Sequence, residues 1–194
     1  MKRKALFLDR DGVINIDYGY VHEPENCVFI EGIFELVRRA NSAGYVVAVV
    51  TNQAGIGRGY FTEAQFAGFT GWMRKVFAGN GAMIDRVFYC PHHPQAGLAD
   101  YKRECACRKP QPGMLLKAQR EFNLDMAASI IVGDKLSDLE AGARAGVRSR
   151  FLFAPDEAAR GEADIVRISN LLDVLPPTQP PVSARRSPKK QRSA

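Results

Sequence analysis

Two hydrophobic periods alternate along this chain. Runs with nearly every position apolar, KALFL (4–8), YVVAVV (45–50) and SIIVG (129–133), and two further strand candidates at residues 84–89 and 147–153, are separated by stretches whose apolar positions recur every three or four residues. The first pattern fits a strand buried on both faces and the second a helix with one buried side. Ile33, Leu36, Val37 and Ala40 share a helical face, with Gly44 as a stop signal. Thr62 with Gln65 forms a capping box ahead of Phe66, Phe69, Met73, Val76 and Phe77. Pro112 opens a helix that runs through Phe122, and Ser137 with Glu140 caps the helix after the fourth strand. The alternation predicts an α/β, Rossmann-like three-layer sandwich on a mostly parallel sheet of five to six strands. Ligands of such sheets bind beyond the carboxyl ends of the strands, where the winding reverses. The strand ends are therefore where chemistry belongs.

The first strand runs into Asp9-Arg10-Asp11-Gly12 and the second into Thr51-Asn52-Gln53. The fourth runs into Gly133-Asp134-Lys135 with Asp138 one turn on, and Cys107-Arg108-Lys109-Pro110 precedes the helix at Pro112. Taken singly, each has a bland explanation: a turn, a loop closure, a surface lysine or, for Asp138, a first-turn acid facing the helix dipole. Together they are the set that phosphate-monoester hydrolysis needs. The substrate dianion repels an anionic nucleophile, so a lysine and a divalent cation must offset its charge. A carboxylate of ordinary pKa is ionised near neutral pH and attacks without a helper base. A second acid two residues on supplies the leaving group's proton. Mg2+ keeps several waters, so two carboxylates and one backbone carbonyl suffice to hold it.

A second constellation follows the third strand. Cys90-Pro91-His92 and Cys105-Ala106-Cys107 place three of the four cysteines in one loop. Three thiolates and an imidazole make a closed tetrahedral Zn2+ set of structural type. A disulfide is the competing reading, but C-x-C neighbours form strained bridges and a reducing compartment disfavours them. His93 competes with His92 as the imidazole ligand, and the isolated Cys27 is expected to be buried. The loop runs directly into Arg108 and Lys109, so metal that fixes the loop also fixes these two cations.

Composition narrows the class. The 194 residues, 46% hydrophobic, suffice for one well-buried core, and no apolar run approaches a membrane span. The apolar stretch after the basic N-terminus is too short for a secretion signal, so a cytoplasmic protein is expected. The net charge of +6 is concentrated in residues 176–194, which carry Arg185, Arg186, Lys189, Lys190 and Arg192, five prolines and no acid. The chain is thus expected to comprise a domain over 1–175 and a disordered, solvated basic tail over 176–194. The spacing between strands leaves no room for a cap domain, so specificity must come from loops. Gly55-Ile56-Gly57-Arg58-Gly59 lacks dinucleotide spacing and reads as a mobile turn, with Arg58 facing either solvent or a second phosphate.

In order and spacing, Asp9, Asp11, Thr51, Lys109 and Asp134 resemble the haloacid-dehalogenase superfamily phosphatases over residues 4 to about 175. The resemblance implies that the first and fourth strands are neighbours and that Asp9 is a nucleophile that becomes phosphorylated. It implies Asp11 as general acid and then base, Thr51 and Lys109 on the phosphoryl oxygens, and Mg2+ on the carboxylates of Asp9 and Asp134 and the carbonyl of Asp11. FLDRDGVIN, DYGYVHEPEN, VVTNQAGIGRGYFTEAQF, YCPHHP, CACRKPQPGM and VGDKLSD resemble, more narrowly, the bacterial D-glycero-D-manno-heptose 1,7-bisphosphate 7-phosphatases, which serve lipopolysaccharide synthesis. That likeness implies zinc on Cys90, His92, Cys105 and Cys107. It implies substrate contacts at Asp17, Tyr18, Gly19, Tyr20, Thr51, Asn52, Gln53, Ala54, Arg108, Lys109 and Lys135. A small sugar bisphosphate is then the expected partner, with no membrane or nucleic-acid partner, and the chain is expected to be a monomer. Histidinol-phosphate phosphatases, which share the zinc loop, are the nearest rival; a catalytically silent, zinc-stapled binding protein is the rival from another class.

Overall fold

The computed structural model describes residues 1–155 and 164–175; the tail expected over 176–194 lies outside them. Six parallel strands, β1 (Ala5–Leu8), β2 (Val46–Asn52), β3 (Arg86–Cys90), β4 (Ile130–Gly133), β5 (Ser149–Phe153) and β6 (Val166–Ile168), lie in the order β3-β2-β1-β4-β5-β6. The helices are α1 (Ile33–Ser42), α2 (Ala54–Gly57), α3 (Glu63–Gly79), α4 (Gly113–Phe122) and α5 (Leu136–Arg144).

Alternate residues of the central strands feed two cores. Leu6, Leu8, Val47, Val49, Ile130 and Val132 pack with Ile33, Leu36 and Val37 of α1 and Met73 and Phe77 of α3. Ala5, Phe7, Val46, Ala48, Val50 and Ile131 pack on the other face with Met114 and Leu115 of α4 and Leu139 of α5. Burial on both faces explains why these strands carry no polar alternation. The winding reverses between β1 and β4, so Asp9 and Asp134 leave adjacent strands, and Asp9 N donates to Val132 O at 3.0 Å.

Thr62 and Gln65 form the expected capping box. Three expectations are corrected. Ser137 lies inside α5, and it is the Asp138 carboxylate that closes the first turn by accepting from Lys135 N at 3.1 Å. The Gly55–Gly59 stretch is a packed helical turn rather than a mobile one, with Gly55, Ile56 and Gly57 buried. Cys27 is only half-buried. Among the described residues no domain is inserted between β1 and β2 or between β3 and β4, and no helix is long and apolar enough to cross a membrane.

Candidate active site

Beyond the carboxyl ends of β1 and β2 lies a cavity of about 770 Å³ lined by Asp9, Asp11, Thr51 and Lys109. Asp17, Gly19, Tyr20, Asn52, Gln53, Ala54, Arg108 and Lys135 share its walls. Asp134 opens into a neighbouring hollow that it shares with Gly12 and Asp17, and exposed Tyr18 lines a further one with Gly19 and Tyr20.

Lys109 is the electrostatic hub. Its ammonium, 3% exposed as a residue, lies 2.8 Å from Asp9 Oδ1 and 2.6 Å from Asp138 Oδ1, and donates to Val50 O at 2.7 Å. Burial alone pulls its pKa down, but the two carboxylates more than offset this, and the net shift is upward. Asp9 differs from expectation: burial and the neighbouring Asp138 outweigh the pull of Lys109 and push its carboxyl above the ordinary carboxylate range. Asp9 Oδ1 also accepts from Arg10 N at 2.7 Å. Asp138, expected only to face a helix dipole, is buried in this cluster.

The Asp11 carboxylate is held by side chains from several directions. Arg10 grips it through Nε and Nη2 at 2.7–3.1 Å, while Asn15 Nδ2 and Gln53 Nε2 each donate at 3.0 Å. Arg10 is fully buried, gives a further hydrogen bond to Val21 O, and lies over the Phe69 ring. Gln53 also donates to Thr51 Oγ1 at 2.8 Å, which leaves the threonine O–H free to donate.

Ligand atoms of Asp9, Asp134 and Asp138 lie within 4.8 Å of one another. Burial and then Asp9 raise the Asp134 carboxyl to about 6, against the pull of Lys135, whose ammonium lies 3.2 Å away. Asp134 Oδ1 is buried without a hydrogen-bond partner among the described residues. An orphaned carboxylate oxygen facing a second buried carboxylate is the environment a hard, oxygen-seeking cation satisfies, so the donor set fits Mg2+. Lys135 reaches across to Asp17 as well, at 3.3 Å.

The zinc-loop donors also converge. The three sulfurs of Cys90, Cys105 and Cys107 are 3.0–3.5 Å apart, and His92 Nδ1 lies 3.6 Å from Cys90 and 3.4 Å from Cys107. Hydrogen bonding with Cys90 pushes the Cys107 thiol down to about 5, while the same pairing, with burial, pushes the Cys90 thiol up. All four cysteines are free thiols, and this cluster could hold zinc. His93 turns its Nδ1 instead to the backbone N–H groups of Gln95 and Ala96, so His92 and not His93 faces the sulfurs. The loop positions Arg108 through a hydrogen bond from Nη1 to His92 O at 3.1 Å.

Sequence reasoning missed Arg10, Asn15 and the buried role of Asp138. The only sequence signals were an arginine enclosed by two strand-end acids and an acid four residues after Asp134.

The HAD-hydrolase-like family model matches residues 106–160. A D-glycero-alpha-D-manno-heptose-1,7-bisphosphate 7-phosphatase of Burkholderia mallei is 53% identical over 91% of this chain and 94% of its own. A D-glycero-beta-D-manno-heptose-1,7-bisphosphate 7-phosphatase of Yersinia pestis is 46% identical over 89% of this chain and 93% of its own. The crystal structure of a D,D-heptose 1,7-bisphosphate phosphatase from B. bronchiseptica, complexed with magnesium and phosphate, superposes with a TM-score of 0.69 at 37% identity. It covers 77% of this chain and 80% of that one.

Proposed function

This chain belongs to the D-glycero-D-manno-heptose 1,7-bisphosphate 7-phosphatase family, and we propose accordingly that it removes the 7-phosphate of that sugar on the route to the lipopolysaccharide core. The observation that carries the reading is the buried Lys109 ammonium between Asp9 and Asp138, next to a third carboxylate, Asp134, with an unpaired oxygen. The relatives' names do not favour the histidinol-phosphate alternative. A silent scaffold would have no need to keep a buried ammonium among three acids.

In the proposed mechanism the Asp9 carboxylate attacks phosphorus and the bond to the sugar oxygen breaks. Asp11 gives that oxygen its proton, then takes a proton from the water that splits the aspartyl phosphate and releases inorganic phosphate. Lys109 and the Thr51 hydroxyl donate to the phosphoryl oxygens. Asp9, Asp134 and the Asp11 carbonyl would hold Mg2+, which when bound neutralises charge on the phosphoryl group. Arg10, Asn15 and Gln53 fix the orientation of Asp11. Asp17, Tyr18, Gly19, Tyr20, Asn52, Gln53, Ala54, Arg108 and Lys135 are assigned to substrate contact. Cys90, His92, Cys105 and Cys107 are assigned to a structural Zn2+.

A monomer remains the proposed state of the chain. Four free thiols suit the reducing cytoplasm. Residues 1–175 are assigned to the phosphatase domain and 176–194 to a tail without a catalytic part, so truncation at 175 should leave turnover unchanged. The deciding experiment compares magnesium-dependent phosphate release from heptose 1,7-bisphosphate, histidinol phosphate and 5′- or 3′-phosphorylated DNA, with phosphorus NMR showing which sugar phosphate is lost. Preferential hydrolysis of either of the others would overturn the proposal.

A further inference from the structure

Tyr20 lines the reaction cavity in a conformation that a tyrosine rarely adopts. Its φ of +56° lies in the left-handed region, where the Cβ of a bulky residue crowds the backbone. A residue held there persists only when its surroundings impose the conformation. The partner that imposes it is His22. Its Nδ1 lies 2.7 Å from the Tyr20 carbonyl oxygen. A carbonyl only accepts, so Nδ1 carries the proton, whether the ring is neutral or charged.

His22 can do this because its own ring is fixed. It stacks on Phe61, with centroids 4.5 Å apart and planes inclined by 12°. Phe61 is buried and packs with Ile56 and Phe66. Between Tyr20 and His22, Val21 is buried, and its carbonyl accepts from Arg10, the residue that grips Asp11. The Tyr20 ring meets Tyr60 edge-on at 4.6 Å. Gly55 of α2 makes room for this docking, since a Cβ there would overlap the Phe61 and Tyr20 side chains. The loop after β1 is thus pinned through two rings to the turn after α2. His22 itself does not line the reaction cavity.

We propose that His22 is a positioning residue for substrate recognition: it holds Tyr20 in the left-handed conformation, so that the exposed ring presents an apolar face to the carbon skeleton of the sugar. The inference rests on the sugar-phosphate reading above and on the assignment of Tyr20 to substrate contact. An aromatic ring fixed before binding supplies its contact area at little ordering cost, whereas a free one must be ordered when the sugar arrives. Among the described residues His22 makes no hydrogen bond to Asp9, Asp11, Thr51 or Lys109. Its loss should therefore weaken sugar binding and spare the chemistry.

The test is steady-state kinetics of the zinc-loaded full chain with magnesium, on heptose 1,7-bisphosphate and on acetyl phosphate, which has no sugar. Wild type is compared with His22→Ala, His22→Asn, Tyr20→Ala and the double variant His22→Ala with Tyr20→Ala. His22→Ala should lower kcat/KM on the bisphosphate about tenfold, chiefly through KM, and on acetyl phosphate no more than about twofold. His22→Asn should recover part of the loss, because its amide can donate to the same carbonyl. In the Tyr20→Ala background His22→Ala should cost nothing further, since it acts through that ring. Equal losses on the two substrates, no loss at all, or additive losses in the double variant would overturn the positioning role. A wild type that turns over acetyl phosphate but not the bisphosphate would instead sink the proposed substrate. The hold on Tyr20 would then be judged by the crystal structure of His22→Ala: a Tyr20 moved out of the left-handed region supports it, and an unmoved one refutes it.

Discussion

Asn52 and Lys109 exchange two hydrogen bonds across 57 residues of chain: Asn52 Oδ1 accepts from Lys109 N at 3.1 Å, and Asn52 Nδ2 donates to Lys109 O at 3.2 Å. The side-chain amide acts as a stand-in strand partner, clipping the exit of the zinc loop to the end of β2. It fixes the backbone from which Lys109 reaches Asp9, Asp138 and Val50.

Asn52→Ala should therefore act through Lys109. Two part-buried backbone groups lose their partner, at a cost of about 1–2 kcal/mol. An ammonium displaced by a fraction of an ångström should lower kcat/KM on the order of tenfold to a hundredfold. Thermal melting and phosphate release read the two effects. An unchanged kcat/KM would mean that other contacts place the lysine.

The strands and the strand-end residues of the catalytic set were legible because both are local, whereas the adjacency of β1 and β4 came from the family resemblance. Burial on two faces writes a continuous apolar run; Asp9 and Asp134 directly follow β1 and β4, Thr51 ends the apolar run of β2, and Lys109 lies just ahead of α4. The missed features are products of tertiary contact. Arg10 is buried because α3 supplies Phe69 and the loop after β1 supplies the Val21 carbonyl, neither of which its neighbours announce. Asp138 looked like a dipole-facing acid because only the fold brings Lys109 beside it. The raised pKa of Asp9 belongs to the same class, since desolvation is set by packing and not by the residues next door.

Removing the two partners of the central ion pair should give different outcomes. Asp9→Asn keeps the volume and leaves Lys109 paired with Asp138, so the fold should persist while turnover vanishes. Lys109→Met strips the ammonium from between two buried carboxylates, which should destabilise the metal-free protein by roughly 3–5 kcal/mol. Magnesium should restore part of that loss, because it supplies positive charge to the same acids. Denaturant unfolding with and without magnesium distinguishes the two variants, and an equally stable Lys109→Met would contradict the hub role of the lysine.

Proton and metal should compete at Asp134. Its folded-state carboxyl is raised from an ordinary value near 3.8 to about 6, so the folded protein holds a proton that the unfolded chain has released. Stability from this group is present below about 4 and is lost as pH rises through about 6 in the metal-free protein. Mg2+ needs the ionised form, so its affinity should rise about tenfold per pH unit up to about 6 and level off above it. Asp134→Asn should flatten that rise. Calorimetric titration between pH 5 and 8 checks it, and a pH-independent wild-type affinity would remove Asp134 from the metal site.

Loss of zinc should be felt at the cavity mouth. Cys105→Ser removes one of four convergent donors, and the bound metal should fall from one per chain to near zero. With the loop released, the Arg108 bond to the His92 carbonyl loses its anchor, so KM should rise more than kcat falls. His92→Ala should behave the same way, whereas His93→Ala should retain zinc. Metal analysis beside steady-state kinetics settles each case, and a zinc-free wild type would refute the loop assignment.

The backbone at Gly12 is where the metal site tolerates least change. Its φ of +90° lies in the left-handed region that side chains avoid, and a Cβ there would overlap the Asp134 carboxylate. Gly12→Ala therefore combines backbone strain with displacement of a proposed metal ligand. Strain of this kind costs on the order of 1–3 kcal/mol, which thermal unfolding should register. Displacement of Asp134 acts separately, and it should weaken magnesium at least tenfold while leaving zinc content untouched. The comparison with Asp134→Asn separates the two contributions, since that variant keeps the glycine backbone and loses only the ligand charge. Should Gly12→Ala bind magnesium as wild type does, Asp134 would have to reach the cation from a position other than the one it holds here.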